Sequence, residues 1–109
     1  MRVHSLKCHP PEFQAIKRWE KLFEFRLDDR AYGVGDVLRL KEWDPSAAID
    51  LLSYTGDALT VVVTSVLHGG RFGVPVGYVV LGIWPGEDNP DGTFTNYLPP
   101  WSRPAKVPR

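Results

Sequence analysis

The sequence predicts a small, mainly β domain with one or two short helices (α+β), its five or six strands curling into a small closed or half-open β-barrel. Three observations predict it. Short runs rich in β-branched and aromatic residues recur between turn-forming Gly, Pro and Asp residues. A helical apolar stripe occurs only near the start. The chain has 109 residues, which suits a single core, and no internal repeat divides it.

Val3-His4-Ser5-Leu6-Lys7 alternates and reads as a first strand. Pro10-Pro11 ends it, and proline suits the first helical position. Glu12 puts a negative charge in the first turn, and Phe13, Ile16 and Trp19 give the stripe of a helix over residues 11 to about 20. Leu22 to Leu27 is a strand with Phe23, Phe25 and Leu27 on one face and Glu24 and Arg26 on the other. A polar connection, 28–33, leads to a tight turn at Val34-Gly35-Asp36. Val37 to Trp43 is the next strand, closed by Asp44-Pro45. Residues 46–57 read as a loop, and Leu59 to Leu67 as the strand with the strongest β-branched content. A glycine-rich loop, His68 to Gly73, reads as a mobile rim. Val76 to Trp84 is almost wholly apolar, as a strand buried on both faces would be. Beyond Pro85 the chain becomes proline-rich with a basic end (Arg103, Lys106, Arg109). This divides it into a domain, 1–85, and a tail, 86–109, whose Phe94, Tyr97 and Trp101 pack on the domain or on a partner.

Thirteen basic residues balance 13 acidic ones. No global field draws the molecule to nucleic acid or a membrane, so any nucleic-acid binding must come from a local, salt-sensitive patch. The single cysteine, Cys8, excludes an internal disulfide and points to a reducing cytoplasm. No signal peptide is visible at the start, and apolar runs are far shorter than the ~20 residues of a membrane helix. One Cys and three His without ligand spacing make a poor metal site, so no metal or cofactor is expected.

Several segments carry a resemblance. Lys21-Leu22-Phe23-Glu24-Phe25-Arg26 resembles the G-x-K-x-x-E-x-R signature of the ASCH domain, a family of the PUA-like superfamily. Asp29-Arg30 with Val34-Gly35-Asp36-Val37-Leu38 is similar to the NDR…VGD-x-L segment of an uncharacterised bacterial and phage branch of that family. Tyr54-Thr55-Gly56, Gly77 to Leu81 and the opening His4-Ser5-Leu6-Lys7 resemble three more of its stretches, so the likeness spans residues 3 to 84. Two positions depart from the pattern: Trp19 stands where the signature has glycine, and Asp28 replaces the branch's Asn. Trp19 either plugs the core or hangs over the mouth of the site.

The resemblance implies a PUA-like barrel that holds RNA or a nucleobase in a cleft beside its helix. Some ASCH proteins hydrolyse the acyl group of N4-acetylcytidine. Their catalytic lysine aligns with Lys21 and their catalytic threonine with Glu24, while their third, acidic residue has no counterpart here. Ribonuclease activity, also proposed in the family, would need paired histidines that this sequence lacks.

The residues offer chemistry of their own. Glu24 and Arg26, two apart on a strand, share a face. Arg26 presents a planar fork of donors suited to phosphate. Glu24 can accept from the exocyclic amine of cytosine or adenine. Lys21, if desolvated beside Arg26, is a usable base or nucleophile. Lys7 joins this constellation, Arg30 can bind phosphate, and Tyr78 can stack a base, a contact of ~1–3 kcal/mol. The alternative is a Glu–Arg–Lys pairing on a solvated strand face, with an Arg30–Asp29 pair pinning a turn and Tyr78 in the core. Asp36 reads as a turn-former, His68 as a surface residue, and Cys8, without a positioned His–Asp partner, as no nucleophile.

The expected function is therefore an RNA- or nucleotide-binding module, recognising a modified base in a cleft lined by Lys7, Lys21, Glu24, Arg26, Arg30 and Tyr78. The partner is RNA, a nucleotide or a nucleoside, and not a membrane. One alternative is an N4-acylcytidine amidohydrolase with Lys21 and Glu24 as its catalytic residues. Another is an interaction module whose tail docks a protein.

Overall fold

The computed structural model describes residues 2–46 and 53–97. In chain order the elements are β1 (Val3–Cys8), α1 (Pro10–Lys17), β2 (Phe23–Leu27), β3 (Val37–Trp43), β4 (Tyr54–His68), β5 (Tyr78–Asp88) and β6 (Phe94–Asn96). The main path of the sheet is β1-β3-β4-β5-β2, with β6 paired to β5. β1 runs parallel to β3, because α1 and β2 intervene as a crossover; the other pairs are antiparallel.

Alternation sets the core. His4, Leu6 and Cys8 of β1 point inward, as do Val61 and Val63 of β4 and Val79, Leu81 and Ile83 of β5. Phe13 and Ile16 of α1 close one side against them, with Tyr32 from the connection after β2. Burying such a set removes large side chains from water at about 1.5–3 kcal/mol each, which is what orders the short strands.

The two ends of the sheet path, β1 and β2, are not paired with each other, so the sheet does not close into a barrel through its backbone. Guanidinium groups span the space instead. Arg26 Nη2 donates to the Lys7 carbonyl at 3.0 Å, and Arg30 Nη1 to the Ser5 carbonyl at 3.1 Å. Both carbonyls belong to edge strand β1, whose outward backbone groups need partners.

Four expectations are corrected. β5 is not buried on both faces: Val79, Leu81, Ile83 and Pro85 are inward and the residues between them half-buried or exposed. It also continues through Pro85 to Asp88, and β6 folds back on it, so the first part of the expected tail belongs to the sheet. A proline is tolerated there because it needs no ladder donor. The part from residue 98 onward, with Trp101 and the basic end, lies outside the described residues. β4 begins at Tyr54 rather than near 59, pairing Tyr54 with Trp43 across a register shift. The glycine-rich loop after His68 is pinned, with Gly69 N donating to Tyr78 O at 2.8 Å and Gly70 N to Val74 O at 2.7 Å. It sits away from the cleft, so it is not its rim.

No helix of the described residues is long and apolar enough to cross a membrane.

Candidate functional site

β2 is built the wrong way round for a plain core strand. Its apolar residues Phe23, Phe25 and Leu27 are about half exposed, while Glu24 is only 4% exposed. Pairing explains the geometry: Glu24 lies opposite Leu81 and Arg26 opposite Val79, both inward residues of β5. Strand parity then sends Glu24 and Arg26 to the interior and the two phenylalanines to solvent. An ordinary amphipathic strand would gain stability from the reverse register.

The inward charges are paired. Arg26 Nη1 donates to Glu24 Oε2 at 2.6 Å, and Lys21 Nζ stands 3.5 Å from Oε1. The Lys21 and Arg26 side chains are themselves about four-fifths buried, at 18% and 22% exposed. Lys21 is aimed by the end of α1. Trp19 N donates to Ile16 O and Glu20 N to Ala15 O, the paired bonds of a Schellman stop. The residue at its turn, Trp19, has φ +63°, the left-handed conformation that favours glycine. Its ring neither plugs the core nor covers the site. It packs edge-on to Trp84 (5.2 Å) and parallel to Tyr97 (6.4 Å), holding the end of the β6 hairpin.

These charges line a cleft of about 440 Å³ between β1, β2 and the loop after β2. Lys7, Lys21, Glu24, Arg26 and Arg30, five of the six residues expected at a site, border it together with Cys8, Asp29 and Tyr32. The sixth, Tyr78, does not. It lies on the outer face and stacks on Phe25, 5.3 Å between centroids, because it begins β5 opposite Leu27 on the outward parity. Asp29 and Arg30 do form a loose pair at 3.9 Å, yet Arg30 also reaches β1. Two cleft residues beyond the expected ones matter. Tyr32, 6% exposed, has its phenol pushed above its ordinary value, first by burial, so it stays a donor at neutral pH. Cys8 has its thiol pushed up to about 12, first by burial and then by the charge of Glu24, which leaves it protonated and poorly nucleophilic. Tyr32 lies in a segment that reads as a polar connection, and its place in the core, with its ring tilted at 58° against buried His4 at 4.9 Å, is decided by the tertiary structure.

Asp36 is occupied elsewhere. It accepts from His4 Nε2 (2.9 Å), Gly33 N (3.0 Å) and Arg2 N (3.2 Å), fixing the turn into β3. Burial works to raise its carboxyl, but those hydrogen bonds outweigh burial and hold it below its ordinary value. His68 faces Asp28 at 3.2 Å on the surface. Among the described residues no cluster of three or more His, Cys, Asp or Glu is placed to hold a metal ion.

The sequence matches the family model described as "Domain of unknown function (DUF3850)" over residues 3–83. The chain belongs to this family. A curated relative is the "Uncharacterized 12.9 kDa protein in GpA 3'region" of Escherichia phage P2, 40% identical over 42 residues. That match spans 38% of each chain. The DUF3850 match begins with β1 and ends within β5, so it takes in every residue of the cleft and leaves out β6.

Proposed function

We propose that this DUF3850 domain is an RNA- or nucleotide-binding module of the PUA-like, half-open-barrel kind, and that the ligand's base enters the cleft at Glu24. The observation that carries the reading is the inverted strand β2. Its buried Glu24 is clamped by Lys21 and Arg26, while phenylalanines are left in water. Replacing a buried ion pair by apolar residues is often neutral or stabilising. A fold that keeps such a cluster beside an open cleft, with apolar residues available one position away on the same strand, has a use for it. Glu24 Oε1 faces the more distant of its two cations, so it can take a further donor, such as the exocyclic amine of cytosine or adenine. Tyr32 borders the same cleft. The left-handed Trp19 supports the likeness to the ASCH signature, since glycine is the residue that suits that conformation.

The second reading, hydrolysis of an N4-acylated cytidine, is favoured by one observation: Lys21 and Glu24 stand 3.5 Å apart in a partly desolvated cleft. One experiment separates the two. A nucleoside panel containing cytidine, adenosine and N4-acetylcytidine is incubated with the protein, and binding is read by calorimetry and conversion by chromatography. Binding without conversion, weakened at least tenfold by Glu24→Gln, supports the binding module. Conversion of N4-acetylcytidine that is lost in Lys21→Ala supports the hydrolase. Neither binding nor conversion of any member overturns both.

A further inference from the structure

A second recess, of about 360 Å³, opens on the other side of β1. It is bordered by Ser5, Lys7, Arg26, Arg30, Lys41 and Tyr54. Four of these are cations, and none of the described residues that border it is a carboxylate. It shares Lys7, Arg26 and Arg30 with the base cleft, so the two spaces meet over the edge of β1.

Folding uses Arg26 and Arg30 at the β1 edge, but it does not ask for the two lysines beside them. Lys7 and Lys41 are direct partners in the parallel β1–β3 register, on the outward parity of both strands. Like charges side by side on adjacent strands repel, at a cost of a few tenths of a kcal/mol or more. Lys7 Nζ is drawn over the Trp43 ring at 4.5 Å, with the Tyr54 ring 5.9 Å away, which positions its charge at the recess wall. Arg26 and Arg30 arrive from across the gap between the sheet ends, each using one guanidinium nitrogen on a β1 carbonyl. Guanidinium groups carry five N–H donors, so both keep donors for another acceptor. Arg26 already meets Glu24 and Arg30 stands only loosely near Asp29, so on a chain that is neutral as a whole Arg30 and Lys41 supply the local positive field that attracts an anion here.

We propose that the recess is a phosphate subsite for the ligand whose base occupies the neighbouring cleft, so that the domain takes a phosphorylated nucleoside rather than a free one. The phosphate lies against Lys41 and Arg30, with Lys7 and Arg26 at the junction. This rests on the base-cleft reading for the other half of the ligand, but the recess itself is testable alone. Tyr54, at the recess wall, is placed to donate its hydroxyl to a phosphate oxygen or to flank a sugar.

The test titrates inorganic phosphate, a nucleoside, its 5′-monophosphate and a short unphosphorylated RNA into the wild type and Lys41→Glu, followed by amide NMR. Lys41→Glu removes the lysine–lysine repulsion, so it folds at least as well as the wild type and any loss of binding is not a loss of fold. Expected in the wild type are saturable phosphate shifts at Ser5, Lys41 and Tyr54. The 5′-monophosphate should bind at least tenfold tighter than the nucleoside at low salt, an advantage that shrinks as salt rises. In Lys41→Glu the phosphate shifts vanish and the tenfold advantage collapses, while nucleoside affinity is kept. Phosphate shifts that are absent, or unchanged in Lys41→Glu, overturn the subsite. Phosphate binding in the recess with no nucleoside binding upholds the subsite and overturns the base cleft instead. RNA binding lost in Lys41→Glu while the mononucleotide gains nothing from its phosphate overturns the mononucleotide form, since the recess then serves an internal backbone phosphate.

Discussion

Removing Arg26 should expose what the buried cluster costs. Arg26→Ala deletes the 2.6 Å partner of a carboxylate that is 4% exposed, and with it the bond to the Lys7 carbonyl that links the two ends of the sheet. Breaking a buried pair by removing one member costs about 3–5 kcal/mol, because the remaining charge is stranded. Here Lys21 stays 3.5 Å from Glu24 and offsets part of that. The lost bond to the exposed Lys7 carbonyl adds about 0.5–1.5 kcal/mol. The expected net loss is about 2–4 kcal/mol. In urea unfolding this lowers the midpoint by about 1–2 M at unchanged slope. The double variant Glu24→Met/Arg26→Met should behave oppositely. It removes both members of the 2.6 Å pair and keeps similar volume, leaving only Lys21, whose side chain is 18% exposed at the cleft, without its carboxylate, so it should recover part of the loss while abolishing ligand binding. Two results would refute the reasoning. One is a loss below about 0.5 kcal/mol for Arg26→Ala, the range of exposed ion pairs. The other is a double variant less stable than Arg26→Ala, which would make the cluster a structural necessity and remove the main support for a binding site.

Three further outcomes are expected. Asp36 is held below its ordinary value in the folded chain, so the unfolded chain binds its proton more readily. The stability this lends is complete above the ordinary carboxylate range and disappears as pH falls through the folded value; Asp36→Asn should flatten the acid limb of a stability–pH curve, and an unchanged limb counts against it. Trp19→Gly should be more stable than Trp19→Ala by about 1 kcal/mol, because both lose the contacts to Trp84 and Tyr97 but only glycine relaxes at φ +63°; equal melting temperatures would deny the strain. Cys8, with its thiol at about 12, should react with iodoacetamide at pH 8 on the order of a hundred-fold or more slower in the native protein than in urea; comparable rates would show an accessible thiolate.

Much of the fold was legible because the signals are local. Alternation over β1 and β3, proline at the head of α1 and the β-branched run of β4 each specify backbone conformation within a few residues. The site was partly legible for the same reason: Glu24 and Arg26 share a face by parity alone, and Lys21 precedes them. What parity does not say is which face is inside. Phe23, Phe25 and Leu27 are the obvious core face by composition, and only pairing with β5, some 55 residues on, turns them to solvent and the charges inward. Pro85 misled the boundary, because a proline that ends many strands is accommodated where no ladder donor is required.

By itself, then, the sequence determined a mainly β chain with one short helix, a tight turn at Gly35, and a charged triplet on one strand face. Tertiary structure decided the rest. It left β1 and β2 as facing, unpaired sheet ends bridged by two arginines, put Lys7 beside Lys41 through a parallel register, and sent Tyr78 away from the cleft to stack on Phe25. The physical reason is range. Strand and turn preferences arise from neighbouring residues, whereas strand order, register and the inward face arise from burying one continuous core, and no short window of sequence contains that information.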